Sequence, residues 1–514
     1  MADIGEVPHQ KSSSEEEQEA DEEEEAEEPA HKILSHPQKW PILKKYRILF
    51  LVAIPTFLTP LSNTPLYPAI SDMKKEFKTT AIIIDSLLGI FTIFRGIAPI
   101  FWSSYSDQLK TRKRVYLASL LLYTMSNIVC GFAKNVIVMI LFRIIQSIGI
   151  SASLTLGGGT VSDVFIPAER GSVYAIYLTG YFVALAIGPY VGGLITYSLG
   201  WRWIFYILAI TGGATLLLMA SFLPETFREP GERSSSRPHQ IRIIRESHPP
   251  TPSEESKQYT QKKSYNPLLP LKLLLQLNTT LSILSKSLIS LIIYTQSILI
   301  TKMFSFYYDV SNMYLLFSYM SPPIGYLIGS FIAGIYSDRL VERESKAEMR
   351  KEREMKREEK KRLEKGESME MLQEMIDDRD TIYKFPIFRI KVAFYSSLLV
   401  PLFIVCYGWL AQSKVYILIP LICTFIAGIG LQGQSNCIST YLIDANPGKS
   451  ASALALSDFI SYFLVAIIIV IINPLENYLG TGWTYTIMAF FSIISIIFLV
   501  IILKYDERWR GVNI

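Results

Sequence analysis

Tyr105-Ser106-Asp107-Gln108-Leu109 and Tyr336-Ser337-Asp338-Arg339-Leu340 are one phrase written twice. Each copy closes a long apolar stretch and opens a basic one. Gly334 stands four residues before the second Asp, and Ser103 holds that place in the first. Matching corners at matching points of the hydropathy pattern point to two membrane-embedded halves that repeat in parallel, the plan of a transporter. Two unrelated Tyr-Ser-Asp turns would have no reason to fall at equivalent places.

Half of the 514 residues are hydrophobic and the mean hydropathy is +0.28, although 19% are charged. Segregation reconciles these figures, because the charges crowd into residues 1–47, 225–265, 338–385 and the extreme C-terminus. Between them run twelve apolar stretches, at about 46–68, 82–104, 115–133, 136–160, 173–197, 203–223, 281–301, 313–336, 388–410, 415–436, 452–472 and 484–503. Each is about 20 residues long, enough to cross a hydrocarbon core of about 30 Å. Only a helix satisfies its own backbone there. The expected fold is an all-α membrane protein with twelve transmembrane helices in two pseudo-symmetric six-helix halves, 45–224 and 278–503. Residues 1–44, with a nearly continuous acidic run, read as a disordered cytosolic tail. Residues 225–277 read as a linker, 338–385 as a charged insert and 504–514 as a second tail. Within the insert, 340–380 has the composition of a solvent-laced helix, for which a cytosolic partner is an open expectation.

Basic residues before span 1 (Lys44, Lys45, Arg47), after span 2 (Lys110, Arg112, Lys113, Arg114) and in the 6–7 and 8–9 connections place both termini in the cytosol. The acidic leader lacks the basic-then-apolar pattern of a signal peptide. Cys130, Cys406, Cys423 and Cys437 all lie in apolar spans and read as packing residues. The five histidines lie outside the spans, which leaves no buried His relay, and Ile443 spoils the phosphate-loop look of Pro447-Gly448-Lys449-Ser450. No enzyme, metal, cofactor or nucleic-acid function is therefore expected. The expected partners are a lipid bilayer, a small-molecule substrate and protons.

Further local signatures are Ser62-Asn63-Thr64-Pro65-Leu66-Tyr67 at the end of span 1, Arg143-Ile144-Ile145-Gln146 in span 4 and Gly188-Pro189-Tyr190-Val191-Gly192-Gly193 in span 5. Trp201-Arg202-Trp203 opens span 6 and Leu223-Pro224-Glu225-Thr226 closes it. Together with the duplicated Asp corner, these resemble the major facilitator superfamily. Within it the chain is similar to the fungal twelve-span drug:proton antiporters, in the subgroup of quinidine-resistance, polyamine and dityrosine transporters. The resemblance runs from about residue 45 to 503. It implies a proton-coupled exporter of amphiphilic organic compounds such as drugs, polyamines, short-chain acids or an aromatic cell-wall precursor. It also implies a multi-pass protein of the plasma membrane, with spore and vacuolar membranes as alternatives. A nutrient uniporter or symporter and a transport-dead sensor or scaffold remain open. Departures include Gln108 and Lys110-Thr111 in the first corner, Arg95 where relatives favour an amide, and Ser457-Asp458 where they favour Asn and Arg.

On this reading, Asp107, Arg112, Gly334, Asp338 and Arg339 form the gating corners, with Asp107 facing the start of span 11 and Asp338 that of span 5. Gly188, Pro189, Gly192 and Gly193 give span 5 a bent, smooth face against the Pro- and Gly-rich span 8. Arg143 would orient a carboxylate or water chain without giving up its own proton, beside Gln146. Asn63, Tyr67, Asp85, Tyr294, Gln296, Gln434 and Asn436 are candidates to line a cavity. Arg95 and Asp458 lie at comparable depth, about 18 Å and about 14 Å in, and are expected to form an ion pair between the halves that is made and broken during the cycle, protonation of Asp458 releasing Arg95. Lys286 is expected to snorkel toward the cytosol. Arg95 in place of an amide favours anionic or zwitterionic cargo.

Overall fold

The computed structural model describes residues 37–227, 269–307, 312–363 and 385–511. Among these residues every regular element is helical. The first half contains α1 (Ile42–Leu61), α2 (Ile70–Phe77), α3 (Ala81–Leu109), α4 (Lys113–Phe132), α5 (Val136–Val164), α6 (Arg170–Leu199) and α7 (Arg202–Phe222). The second contains α8 (Leu277–Tyr307), α9 (Asn312–Leu363), α10 (Phe385–Ser397), α11 (Leu399–Gln412), α12 (Leu418–Ala445), α13 (Ser450–Leu479) and α14 (Thr481–Gly511). Eleven stretches of the described residues are long and apolar enough to cross a membrane. α2 is too short to span, α10 with α11 makes a single span, and α9 supplies the remaining one. The acidic tail and the inter-half linker lie outside the described residues, as does 364–380 of the expected insert helix.

Proline decides where the spans depart from single straight helices. The first stops at Leu61 and continues as a 3-10 turn, Thr64–Leu66. Pro60 and Pro65 bring no N–H, while the hydroxyls of Ser62 and Thr64 fold back onto the carbonyls of Leu58 and Pro60 at 2.8 and 3.0 Å. Span 9 breaks between Ser397 and Leu399, where Pro401 cannot donate to the carbonyl four residues earlier. α6 and α13 are each 30 residues long and each ends on a left-handed glycine, Gly200 (φ 91°) and Gly480 (φ 79°), a cap that suits glycine alone. They are equivalent helices of the two halves.

Neither Asp corner is a turn at its Asp. Asp107 sits in the last turn of α3, and the reversal comes later at Lys110, held left-handed at φ 53°. Asp338 lies inside α9, which runs on for 52 residues. No Gly or Pro interrupts α9 beyond the corner, and Glu342 and Lys346 pair one turn apart at 2.6 Å. The halves meet along α3 with α13 and α6 with α9. Gly96 leaves room for Tyr462, and Gly171 lies against Gly334 so closely that a Cβ on Gly334 would stand 2.5 Å from the Gly171 carbonyl oxygen.

Candidate functional site

The end of the bundle that carries the Asp corners is closed by two equivalent clusters. In the first half Arg112, 1% exposed, bonds Asp107 at 2.6 Å and Asp163 at 3.1 Å. In the second half Arg389, fully buried, bonds Asp338 at 3.2 Å and Asp444 at 2.5 Å. Each is a carboxylate–guanidinium–carboxylate triad built from the end of one span, the start of the next and the end of the one after. Asp163, Arg389 and Asp444 were not singled out by sequence. Arg389 lies 51 residues after Asp338, against five from Asp107 to Arg112, because the charged insert intervenes.

Each triad also reaches into the opposite half. Asp338 accepts from the backbone N–H groups of Gly171 and Ser172, in the first turn of α6, at 2.8 and 2.6 Å. Such a carboxylate at a helix N-terminus is worth up to ~2 kcal/mol when partly buried. Arg389 donates to the Pro167 carbonyl at 2.5 Å, and Arg170 of the first half pairs with Asp444 at 2.5 Å. On the other side, Ser452 at the start of α13 donates to Asp107 at 2.5 Å, and the hydroxyls of Ser162 and Ser450 meet at 2.7 Å. The α6–α9–α12 side is therefore ionic, and the α3–α13 side rests on hydroxyls. Arg339 is exposed.

Glu225, from the segment that closes span 6, clamps the start of α4. It accepts from the Thr111 hydroxyl at 2.6 Å and the Arg112 N–H at 2.7 Å, while Thr226 and Phe227 donate to it at 3.0 Å each. Burial pushes its carboxyl up, but these donors outweigh burial and hold it below the usual carboxylate range. A lowered pKa means the clamp stabilises the fold above the ordinary Glu value and is lost as pH falls through the lowered one. Wild type is thus expected to melt above E225Q at neutral pH, with the gap closing on acidification below about pH 4. A gap independent of pH would show that the carboxylate charge is not what holds α4.

Deeper in the bundle, Arg143 is fully buried within the first half. It donates to the Ser62 carbonyl (2.6 Å) and Asn63 (2.7 Å), both at the break in span 1, and to Gln146 (2.7 Å) one turn along its own helix. Gln146 in turn donates to Asn127 at 2.6 Å. The Phe91 ring lies 4.4 Å from the guanidinium, and Nε has no partner among the described residues. The break in the first span is therefore what frees a carbonyl for Arg143.

Several expectations need correction. Arg95 and Asp458 are not paired in this structure. Asp458 bonds Lys286 at 3.2 Å within the second half, and Lys286 is 8% exposed, so it does not snorkel. Arg95 instead donates to the Tyr181 hydroxyl at 3.0 Å and lies over the rings of Tyr181 and Tyr462. Asp458 stands one turn short of Tyr462, the residue that meets Arg95, and its carboxylate is taken by Lys286 of α8. The glycines of span 5 do not face span 8 either. Gly188 and Gly192 pack on Thr64 and Pro65 of their own half, and Gly325 and Gly329 on Phe425 and Ile429 of theirs. Gln434 bonds Ser495 at 2.9 Å inside the second half, and Gln296 accepts from Tyr326 at 3.3 Å. Asn436 bonds the Ser330 carbonyl at 2.8 Å and reaches that of Gly171 at 3.4 Å. Tyr294 packs edge-on against Tyr462, with ring centres 5.8 Å apart. The side chain of Asp85 lies outside the described residues.

Two pseudo-symmetric six-helix halves, sealed at one end by charged corners, define a helical membrane transporter. A family model described as Major Facilitator Superfamily matches residues 52–347, more than half of the sequence. The chain belongs to that superfamily. It is 24% identical over 500 residues to citrate exporter 1 of Aspergillus niger, covering 94% of this chain and 89% of the exporter. It is 25% identical over 468 residues to the MFS-type transporter tndD of Aspergillus flavipes, covering 90% and 80%. Among solved structures it resembles the proton:xylose symporter XylE, with a TM-score of 0.62, 14% identity and coverage of 90% and 97%. The human organic anion transporter MFSD10 matches with a TM-score of 0.54 and 16% identity, over 90% of this chain and 100% of that one.

Proposed function

We propose that the protein is a proton-coupled antiporter that exports small amphiphilic organic compounds by alternating access, with its Asp-corner end facing the cytosol. The observation that carries this reading is the seam itself. The polar bonds that close it run between the halves, and a rigid-body rotation can break them without unfolding either half. Relatives named as exporters and efflux pumps support the outward direction. For the proton we infer the Lys286–Asp458 pair, a buried ion pair linking α8 to α13, next to the Ser287–Ser461 hydroxyl contact at 3.0 Å. Protonating Asp458 removes the attraction that holds the two helices together there. An intramembrane ionisable pair of this kind is a usual place for a proton relay.

The test is full-length protein in liposomes carrying an internal pH dye, with an imposed proton gradient and a panel of organic acids, amines and neutral drugs. Cargo movement is expected to follow the gradient, to collapse with an uncoupler and to release protons in exchange. D458N is expected to retain cargo exchange while losing gradient-driven accumulation by at least about tenfold. Accumulation that ignores the gradient, or that D458N leaves intact, would overturn the proton assignment.

A further inference from the structure

We propose that Arg95 receives a carboxylate group of the cargo, so that the protein selects organic anions; this rests on the transport reading above. Arg95 enters the seam from α3 and is 7% exposed. Its guanidinium lies 5.5 Å from the Tyr181 ring centre and 5.0 Å from that of Tyr462, and one nitrogen donates to the Tyr181 hydroxyl at 3.0 Å. Tyr294 extends the same aromatic wall from α8. All of these neighbours are neutral.

The side chain is thus a permanent cation with five N–H donors in a nearly dry place, contacted by ring faces and one hydroxyl among the described residues. Arg112 and Arg389, the fully buried arginines of the corners, each hold two carboxylates. Arg95 holds none. The carboxylate on the facing helix, Asp458, stands one turn from Tyr462 and is already held by Lys286. The Arg95 charge therefore has no built-in counter-ion among the described residues.

Geometry makes the site specific. A planar guanidinium takes a carboxylate through two parallel bonds, and tyrosine rings on either side favour a flat or unsaturated body behind that carboxylate. Arg95 and Tyr181 belong to the first half, Tyr294 and Tyr462 to the second. Cargo held between them touches both sides of the seam, and separating the halves there weakens its binding. An amine would meet an uncompensated positive charge at the same place.

The experiment is binding to the purified full-length chain, read by thermal shift with citrate, benzoate, benzamide and spermidine as probes. Citrate or benzoate is expected to stabilise the wild type saturably, while benzamide and spermidine do not. R95Q is expected to weaken that carboxylate binding at least about tenfold, the range for losing a charged hydrogen-bond partner. R95K keeps the charge without the planar fork and is expected to weaken binding by a smaller factor. It decides the matter if R95Q fails to fold. Carboxylates that stabilise neither form, that bind the variants as tightly as wild type, or that bind no better than spermidine would overturn the proposal. Gradient-driven flux of spermidine without carboxylate binding would sink this inference and leave the transporter reading standing. Carboxylate binding with no flux of any probe would do the reverse.

Discussion

Replacing Arg389 with alanine is expected to lower the melting temperature sharply and to leave the Asp-corner end unable to stay shut. The guanidinium is fully buried and is bonded to Asp444, Asp338, the Ser337 hydroxyl and the Pro167 carbonyl. Its removal leaves two buried carboxylates, compensated among the described residues by Arg170 on Asp444 and by Gly171 and Ser172 on Asp338. Breaking a buried pair from one side costs about 3–5 kcal/mol. Pro167 belongs to the opposite half, so part of that loss falls on the closed state alone. Even 1.4 kcal/mol there shifts the open-to-closed ratio about tenfold. The measurement is the reaction rate of a cysteine placed at Ser450, in a background cleared of the four native cysteines. Faster labelling with a lowered melting temperature is expected, and R389K should fall between. An unchanged rate would remove Arg389 from the gate.

Gly334→Ala tests the seam from the steric side. A Cβ there would stand 2.5 Å from the Gly171 oxygen, 2.8 Å from its carbonyl carbon and 3.1 Å from the Ser172 nitrogen. Those are backbone atoms of the other half, so no side-chain rotation relieves the clash and the halves must part. Overpacking of this kind costs about 1–3 kcal/mol, enough to reverse a modest preference for closure. The fold should survive, because each half keeps its own contacts. Gly192→Ala provides the contrast. Its Cβ would lie 2.1 Å from the Pro65 oxygen inside the same half, and loss of folded protein is expected in place of a change of state. Comparing yield and cysteine labelling for the two variants separates these outcomes. Equal behaviour would show that the glycine contact between halves carries no conformational preference.

The segregation of apolar runs and the repeated Tyr-Ser-Asp phrase were enough to reach the two-half helical bundle, because span length and backbone satisfaction leave no other architecture. The neighbours of Asp338 were also within reach, because the resemblance to the superfamily implies that span 5 lies against span 8. What could not be read was the exact register between neighbouring helices, or which of several partners a buried charge would take. Counting residues put Arg95 and Asp458 at one depth, but Arg95 meets Tyr462, one turn further along the same face of α13, and Lys286 of α8 takes the Asp458 carboxylate. The second triad did carry a signal. Arg389 near the start of span 9 is the counterpart of Arg112, and Asp444 at the end of span 10 that of Asp163. The insert between Asp338 and Arg389 hid the correspondence. Likewise, the Gly-Pro face of span 5 was legible as a close-packing surface, but nothing in its sequence indicated that the first span, unwound by its own prolines, would fill it.

The continuity of α9 makes the second half its own indicator needle. From Asp338 at the seam the helix continues without interruption to Leu363, 25 residues further. At helical rise that is a rod of about 37 Å, and a rocking motion of about 10° would sweep its tip through about 6 Å. A dye or spin label near the tip would therefore report which way the bundle faces, with a larger displacement than any probe placed among the corner residues themselves.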